Sequence, residues 1–267
     1  MIKKKFLVIS ILLVAIFLWV WQKNKPAVIS LDLPPAQNIN DFSQAEIEDS
    51  QIFEEQSENV ELEQNLPEQE IIKEEKLISP QINLAVPFTS QAPLSDWSQP
   101  WQDACEEASF LMLDYYYQNK KLPLPAVVSD VLKEMVDWQI SNWGDHHNLT
   151  ITELKDYIEA NFAYRVEIIE DLDLAKIKNI LNDGKPLIVP ADGHLLANPY
   201  FSGNGPDYHM LVIKGYQDNY LISNDPGTRY GADFIYQADH LLASIFDWNQ
   251  KELRASGPKR GLIISPN

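Results

Sequence analysis

Cysteine is almost absent from this 267-residue chain: Cys105 is the only one, so no internal disulfide can form. Positive charge is also scarce. Twenty-one lysines and arginines face 39 aspartates and glutamates, a net charge of −18. Phosphate backbones are held by basic patches, so a nucleic-acid partner is excluded. No internal repeat is visible. No His, Cys or acid cluster has the spacing of a metal centre, so neither metal nor cofactor is expected. Long apolar runs are missing too, apart from one at the start.

That run is FLVISILLVAIFLWVW, sixteen residues without a charge, preceded by MIKKK and followed by QKNK. As a helix it spans about 24 Å, somewhat short of the ~30 Å hydrocarbon core. Snorkelling lysines and interfacial Trp19 and Trp21 make up the difference. A cleaved signal peptide has the same basic start and apolar middle. Here, however, bulky Trp and then Gln-Lys-Asn-Lys stand where a small-x-small cleavage site belongs. Residues 1–25 therefore read as an uncleaved single-pass membrane anchor. Lys3, Lys4, Lys5 and the amino terminus outnumber Lys23 and Lys25, which places the bulk of the chain outside the cytoplasm.

Residues 26–80 carry 14 acids and two lysines, are rich in Gln, Asn, Ser and Pro, and have almost no aromatics. Such a stretch cannot bury enough surface to offset its ordering entropy. It reads as an acidic, disordered linker, reaching roughly 40 Å as a coil. A short amphipathic helix in IEDSQIFEEQ is the alternative.

Residues 81–267 suffice for one domain with a sizeable core. INLAVPF reads as a strand, and CEEASFLMLDYYYQN, PAVVSDVLKEMVDW, TITELKDYIEANF and DLDLAKIKNILNDG as helices. The third helix opens with a Thr150-x-x-Glu153 capping box. The fourth has Asp171 or Asp173 at its start and Gly184 just past its end. KPLIVPA, HMLVIKGY and NYLISND are strands, followed by a helix over QADHLLASIFDW and a strand over RGLIIS. Helices first and an antiparallel sheet afterwards give an α+β domain.

Cys105 stands where a polar loop becomes a helix. Unpaired N–H groups and partial positive charge at a helix start favour a thiolate, which suits a nucleophile. Position alone is equally consistent with a buried packing residue. A nucleophile needs a base and an orienting acid. His209 opens the strand HMLVIKGY, and the chain returns through QDN into YLISNDPG. A three-residue loop over 217–219 sets His209 opposite Gly227, with Asp225 diagonal to it on the same face. A two-residue loop sends Asp225 to the other face. The plain reading of NDPG is an ordinary turn.

The blocks VPFTSQAP, DACEEASFLML, GKPLIVPADG, YHMLVIKGY and LISNDPGTRYG, in that order, resemble the bacteriocin-leader-peptidase-like group of papain-superfamily cysteine peptidases (double-glycine peptidase-like). The resemblance covers about residues 82–250. It implies a papain-like α+β fold whose cysteine begins the central helix, with Cys105 as nucleophile, His209 as base and Asp225 as orienter. It also implies that Gln91 helps form the oxyanion hole with the Cys105 backbone N–H; Gln102 is the other candidate. Leader-processing members usually carry glycine where this chain has Glu106, and are typically fused to a transporter, which this chain lacks.

Other residues have plainer readings. His146, His147 and Asp145 form a polar loop rather than a metal site, since adjacent residues chelate one ion poorly. His194 lies in a long Gly/Pro/Asn loop leading to His209 and is a candidate cleft-lining residue. Asn224 is an alternative orienter but faces away from Asp225. Trp97, Trp101, Trp138 and Trp143 are core or cleft residues, and Tyr115, Tyr116 and Tyr117 are packing. The expectation is a membrane-tethered, extracytoplasmic cysteine peptidase acting on a peptide or protein substrate. The alternatives are an amine-accepting, transglutaminase-like acyltransferase and a non-catalytic module binding peptide or cell wall.

Overall fold

Strand β4 (His209–Gln217) is buried along nearly its whole length. Its mostly apolar run, HMLVIKGYQ, can sit at the centre of a sheet covered on both faces. The structure, a computed structural model, describes residues 28–42, 79–146 and 148–267. Around β4 the sheet runs β2–β9–β3–β4–β5–β6, comprising β2 (Tyr164–Glu170), β9 (Arg260–Pro266), β3 (Leu187–Ala191), β5 (Tyr220–Asn224) and β6 (Phe234–Gln237). All of its pairings are antiparallel. Strand β1 (Gln81–Asn83) pairs with Gly215–Gln217 and extends the edge that β3 occupies over His209–Ile213. A separate ribbon joins β7 (Trp248–Asn249) to β8 (Arg254–Ala255).

Helix α1 (Cys105–Tyr117) packs on β4 and is buried on nearly every side, as expected of a central helix with little polar surface. Helix α2 (Pro125–Trp143) begins with proline at its first position, where the missing N–H costs nothing. Helix α3 (Ile151–Asn161) has the expected capping box: Thr150 accepts from the Glu153 N–H, and the Glu153 carboxylate accepts from the Thr150 N–H. Helix α4 (Leu174–Asn182) is capped by Asp173, with Gly184 beyond it in the left-handed region at φ +70°. A single turn, α5 (Gly193–Leu196), and helix α6 (Ala238–Ser244) complete the set. The α+β class with an antiparallel sheet holds.

Three expectations are corrected. Helices do not all precede the sheet: YRVEIIE forms β2 between α3 and α4 and pairs along its length with β9. The last helix is shorter than QADHLLASIFDW, because Gln237 ends β6 and Trp248 belongs to β7. The linker over 26–80 is not one continuous spacer. Gln37 bridges Leu84, Pro34 is buried and receives the Asn83 amide, and Ile39 and Phe42 pack on the core. Residues 43–78 of the linker, and the expected anchor over 1–25, lie outside the described residues. Among the described residues no helix is long and apolar enough to cross a membrane.

The β4–β5 connection differs from the three-residue expectation. Gln217 pairs with Tyr220 across a two-residue turn, Asp218–Asn219. That register alone would send Asp225 to the wrong face. The register then slips by one residue between Ile213 and Gly215, so that Ile213 opposes Ser223 and Val212 opposes Asn224. Lys214 is the extra residue of this bulge, which restores the face required for His209 and Asp225. Its carbonyl accepts the Leu84 N–H at 2.8 Å, and its ammonium reaches Asp233 at 2.6 Å. A Cβ on Gly215 would lie 2.3 Å from the Ile82 carbonyl oxygen. Gly215→Ala should therefore cost about 1–3 kcal/mol, measured by denaturant unfolding, and should reduce any activity more than its stability loss explains.

Candidate active site

A 3-10 turn at Trp101–Asp103 leads into α1, and Cys105 is the first helical residue. Its N–H belongs to the first turn, whose amides have no acceptor within the helix. The thiol is buried but opens onto a cavity of about 370 Å³. Its Sγ donates to Glu106 Oε2 at 3.0 Å. Burial pushes the thiol well above its ordinary value, and the Glu106 charge and hydrogen bond push it further. The Met210 N–H reaches the sulfur and partly opposes this rise. That amide belongs to the residue after His209, so β4 brings the imidazole to the same end of α1.

Asp225 holds His209 in place. His209 Nε2 lies 2.7 Å from Asp225 Oδ1, which also accepts the Gly227 N–H at 3.0 Å. Asp225 Oδ2 accepts from the Tyr236 hydroxyl at 2.7 Å and from Asn198 Nδ2 at 2.9 Å. Burial opposes ionisation of this fully enclosed carboxyl. The His209 ring beside it and the bonds from His209, Tyr236 and Asn198 outweigh burial and hold it below the usual carboxylate range. With Nε2 committed to Asp225, Nδ1 is the nitrogen left for proton transfer. A Cβ on Gly227 would lie 2.8 Å from His209 Cε1, so glycine makes room for the ring. Phe201 meets the imidazole edge-on, with ring centroids 5.3 Å apart.

Cys105, His209 and Gln91 all line this cavity, with Trp97, Gln102 and Phe201 around them. Asp225 sits behind His209. The four residues expected to act together are thus brought to one place. Gln91 does not, however, aim a free amide at the sulfur: Nε2 donates to the carbonyls of Trp101 at 3.1 Å and Gln102 at 2.7 Å. The Gln102 side chain is exposed at the rim. Asn224 faces away, as expected, and its amide donates to the carbonyls of Val86 and Pro87, fixing the segment that carries Gln91.

His194 is not a lining residue. Its ring is tied to Asp207 at 2.8 Å and to the Asn204 carbonyl at 3.1 Å, and the hydrogen bond to Asp207 foremost raises its pKa. The loop it braces does line the cavity, through Phe201, Ser202, Gly205 and Pro206. Of the tryptophans, Trp97 reaches the cavity, whereas Trp138 and Trp143 stack with Tyr157. His146 approaches Glu107, and His147 lies outside the described residues. No group of three or more metal-ligating side chains occurs among the described residues.

Sequence reasoning missed Asn198 and Tyr236, which enclose Asp225, and the contact of Glu106 with the sulfur. Asn198 lies 27 residues before its partner, so no local pattern signals it. Glu106, one of two adjacent acids directly after the cysteine, is the visible sign of the contact with the sulfur.

A cysteine at a helix tip and a histidine–aspartate pair sharing one cavity form the combination of thiol, base and orienting acid that nucleophilic catalysis needs. The chain belongs to the Peptidase_C39 like family, whose model matches residues 83–252, and membership supports a peptidase. Among solved structures, a protein described as a C39-like peptidase from Bacillus anthracis is similar at 13% identity and a TM-score of 0.47, covering 70% of this chain and 98% of that one. A double-glycine motif protease from an AMS/PCAT transporter, solved in complex with the leader peptide, is similar at 17% identity and a TM-score of 0.34, covering 61% and 84%. Neither likeness is close enough to bear on the chemistry. No curated protein matches the chain.

Tyr236→Phe removes one hydrogen bond to a buried carboxylate and should cost about 1.5–3 kcal/mol, read from urea unfolding. Because the Asp225 carboxyl is held low, its contribution to stability is present above its unfolded-state pKa and is lost as pH falls through the folded value. The difference in melting temperature between wild type and Asp225→Asn should therefore be large at pH 7 and narrow in acid. A constant difference would refute the linkage.

Proposed function

We propose that this protein is a cysteine peptidase of the papain-like arrangement, hydrolysing peptide bonds with Cys105, His209 and Asp225. The observation that carries the reading is the opening of Cys105 and of the Asp225-held His209 onto one cavity. Family membership supports a peptide or protein substrate.

The resting thiol is neutral, since burial and Glu106 both disfavour the thiolate. His209 therefore acts as a general base during attack. It takes the thiol proton on Nδ1 while sulfur bonds to the scissile carbonyl carbon. The developing oxyanion is met by the Cys105 N–H at the helix start. Gln91 joins by exchanging its longer bond, to the Trp101 carbonyl, for the oxyanion. The imidazolium, stabilised by Asp225, then protonates the leaving amine as the carbon–nitrogen bond breaks. Water, deprotonated by His209, attacks the thioester carbon, and the carboxylic acid leaves as Cys105 recovers its proton.

The N-terminal apolar run and its lysines support a domain held at a membrane, on the side away from the cytoplasm. Detection of the full chain in the membrane fraction, with external protease reaching residues 81–267 in intact cells, tests that arrangement.

Cys105→Ser should abolish cleavage of a peptide library by the detergent-solubilised full chain. His209→Ala should lower kcat by about 10²–10⁴. Unchanged cleavage in either would sink the peptidase reading and favour a binding module. Gln91→Ala should lower kcat by about 10²–10³ with KM little changed; the same loss in Gln102→Ala, and none in Gln91→Ala, would transfer the oxyanion role to the rim.

A further inference from the structure

Glu106 is an unusual neighbour for a nucleophile. It is fully buried on α1, in the turn that holds Cys105, and each of its carboxylate oxygens has a partner. Oε2 accepts from the Cys105 thiol at 3.0 Å, and Oε1 accepts the Leu149 N–H at 3.0 Å from the start of α3. The Leu149 carbonyl in turn accepts from the Tyr208 hydroxyl at 2.8 Å. Tyr208 precedes His209 and lines the same cavity. The carboxylate is thus fastened to one end of the cavity from two elements, and the thiol is fastened to it. Among the described residues no hydrogen bond joins Sγ to His209.

We infer that Glu106 is a positioning residue that holds the Cys105 S–H on its own carboxylate, a resting lock that must open before His209 can take the proton. This inference rests on the peptidase reading only for its consequence; the lock itself concerns the sulfur. The proton balance is simple. At rest it lies on sulfur and points at Glu106 Oε2. On activation the Sγ–H···Oε2 bond breaks, the proton moves to His209 Nδ1, and Glu106 keeps its bond to Leu149.

The charged and titratable groups facing this pair all act in one direction or lie behind another group. Burial foremost, and Glu107 beside it on α1, raise the Glu106 carboxyl well above its ordinary range, while the bonds from Cys105 and Leu149 pull it back; Glu107 also raises the thiol. Asp103, from the preceding turn, lines the cavity and acts on Glu107. His146 and Gln139 face Glu107 rather than Glu106. Tyr208 stays neutral, pushed up by burial foremost and by Asp247 behind it, and Asp247 is paired with Arg260. Among the described residues His209, backed by Asp225, is the cationic candidate on the open side. Two acidic side chains therefore lie beside the thiol within the helix, and the candidate proton acceptor stands on the strand.

The single cysteine makes the test unambiguous, because any thiol alkylation of the full chain is at Cys105, and mass spectrometry of its peptide separates this from alkylation elsewhere. Iodoacetamide alkylation is followed by mass spectrometry across pH 5–10 for wild type, Glu106→Gln and Glu106→Met. Gln keeps the shape without the charge, and Met fills the site should the amide fail to satisfy both partners. In wild type the midpoint should lie above that of free cysteine, near 8.5. In the folded variants it should move toward acid by about one unit, so that alkylation at pH 7 quickens about tenfold. The gain should persist in a His209→Ala background. A wild-type midpoint at or below that of free cysteine overturns the lock, whether or not the variants fold. So does an unmoved midpoint in a folded variant, whose effect would then be structural alone. Cleavage is scored separately. If Cys105→Ser cleaves normally, the peptidase reading fails, and the alkylation profile still decides the role of Glu106.

Discussion

A hairpin closed by two residues would keep His209 and Asp225 on opposite faces of the sheet, and the candidate site depends on the one extra residue that prevents this. Lys214 is that residue. The bulge is held from three sides: by the Leu84 amide on its carbonyl, by Asp233 on its ammonium, and by a glycine that lets β1 approach within contact of the backbone. Burying a lysine in the middle of a sheet is costly unless it is paired. Asp233, half exposed at the start of β6, supplies the pairing at the sheet margin. What reads in isolation as a defect of β4 is thus the element that aligns His209 with Asp225.

From that alignment the rest of the site follows by enclosure. Four donors converge on Asp225, and they come from β4, from the turn after β5, from β6 and from the loop after α5. The carboxylate therefore joins the sheet to the loop that walls the cavity. Asn198 spans both: its amide nitrogen meets Asp225, and its carbonyl oxygen accepts the Tyr200 N–H next to Phe201. The orientation of the imidazole and the shape of the cavity wall are consequently set by the same hydrogen bonds.

Much of this was readable in the residues, for physical reasons. Helix starts announce themselves through short-range chemistry, and Thr150, Asp173 and the polar loop before Cys105 all did so. The strands β3, β4, β5 and β9 are dense in β-branched residues and bounded by turns. The quartet Gln91, Cys105, His209 and Asp225 emerged from ordered blocks, and the structure gathers all four. The path to the register was not readable, because a bulge is chosen by what packs against it; Ile82 lies 133 residues from Gly215. Strand β2 escaped because it follows α3 after two residues and carries alternating charges that suit an exposed edge. The hydrogen bonds of Asn198, Tyr236 and Leu149 are tertiary and leave no periodic trace.

The fastening of Gln37 beside β1 alters how the domain can be carried. Residues 34–42 and 79–84 are pinned to the same body, so the chain already meets the domain before the segment that leads into β1. Ile29 also lines a pocket with Leu196, Phe234 and His240, so in the membrane-held arrangement proposed above only residues 26–28 separate the apolar segment over 1–25 from contact with the domain. Three residues extend to at most about 11 Å. A body so tethered would graze the lipid headgroups rather than sweep the space beyond them.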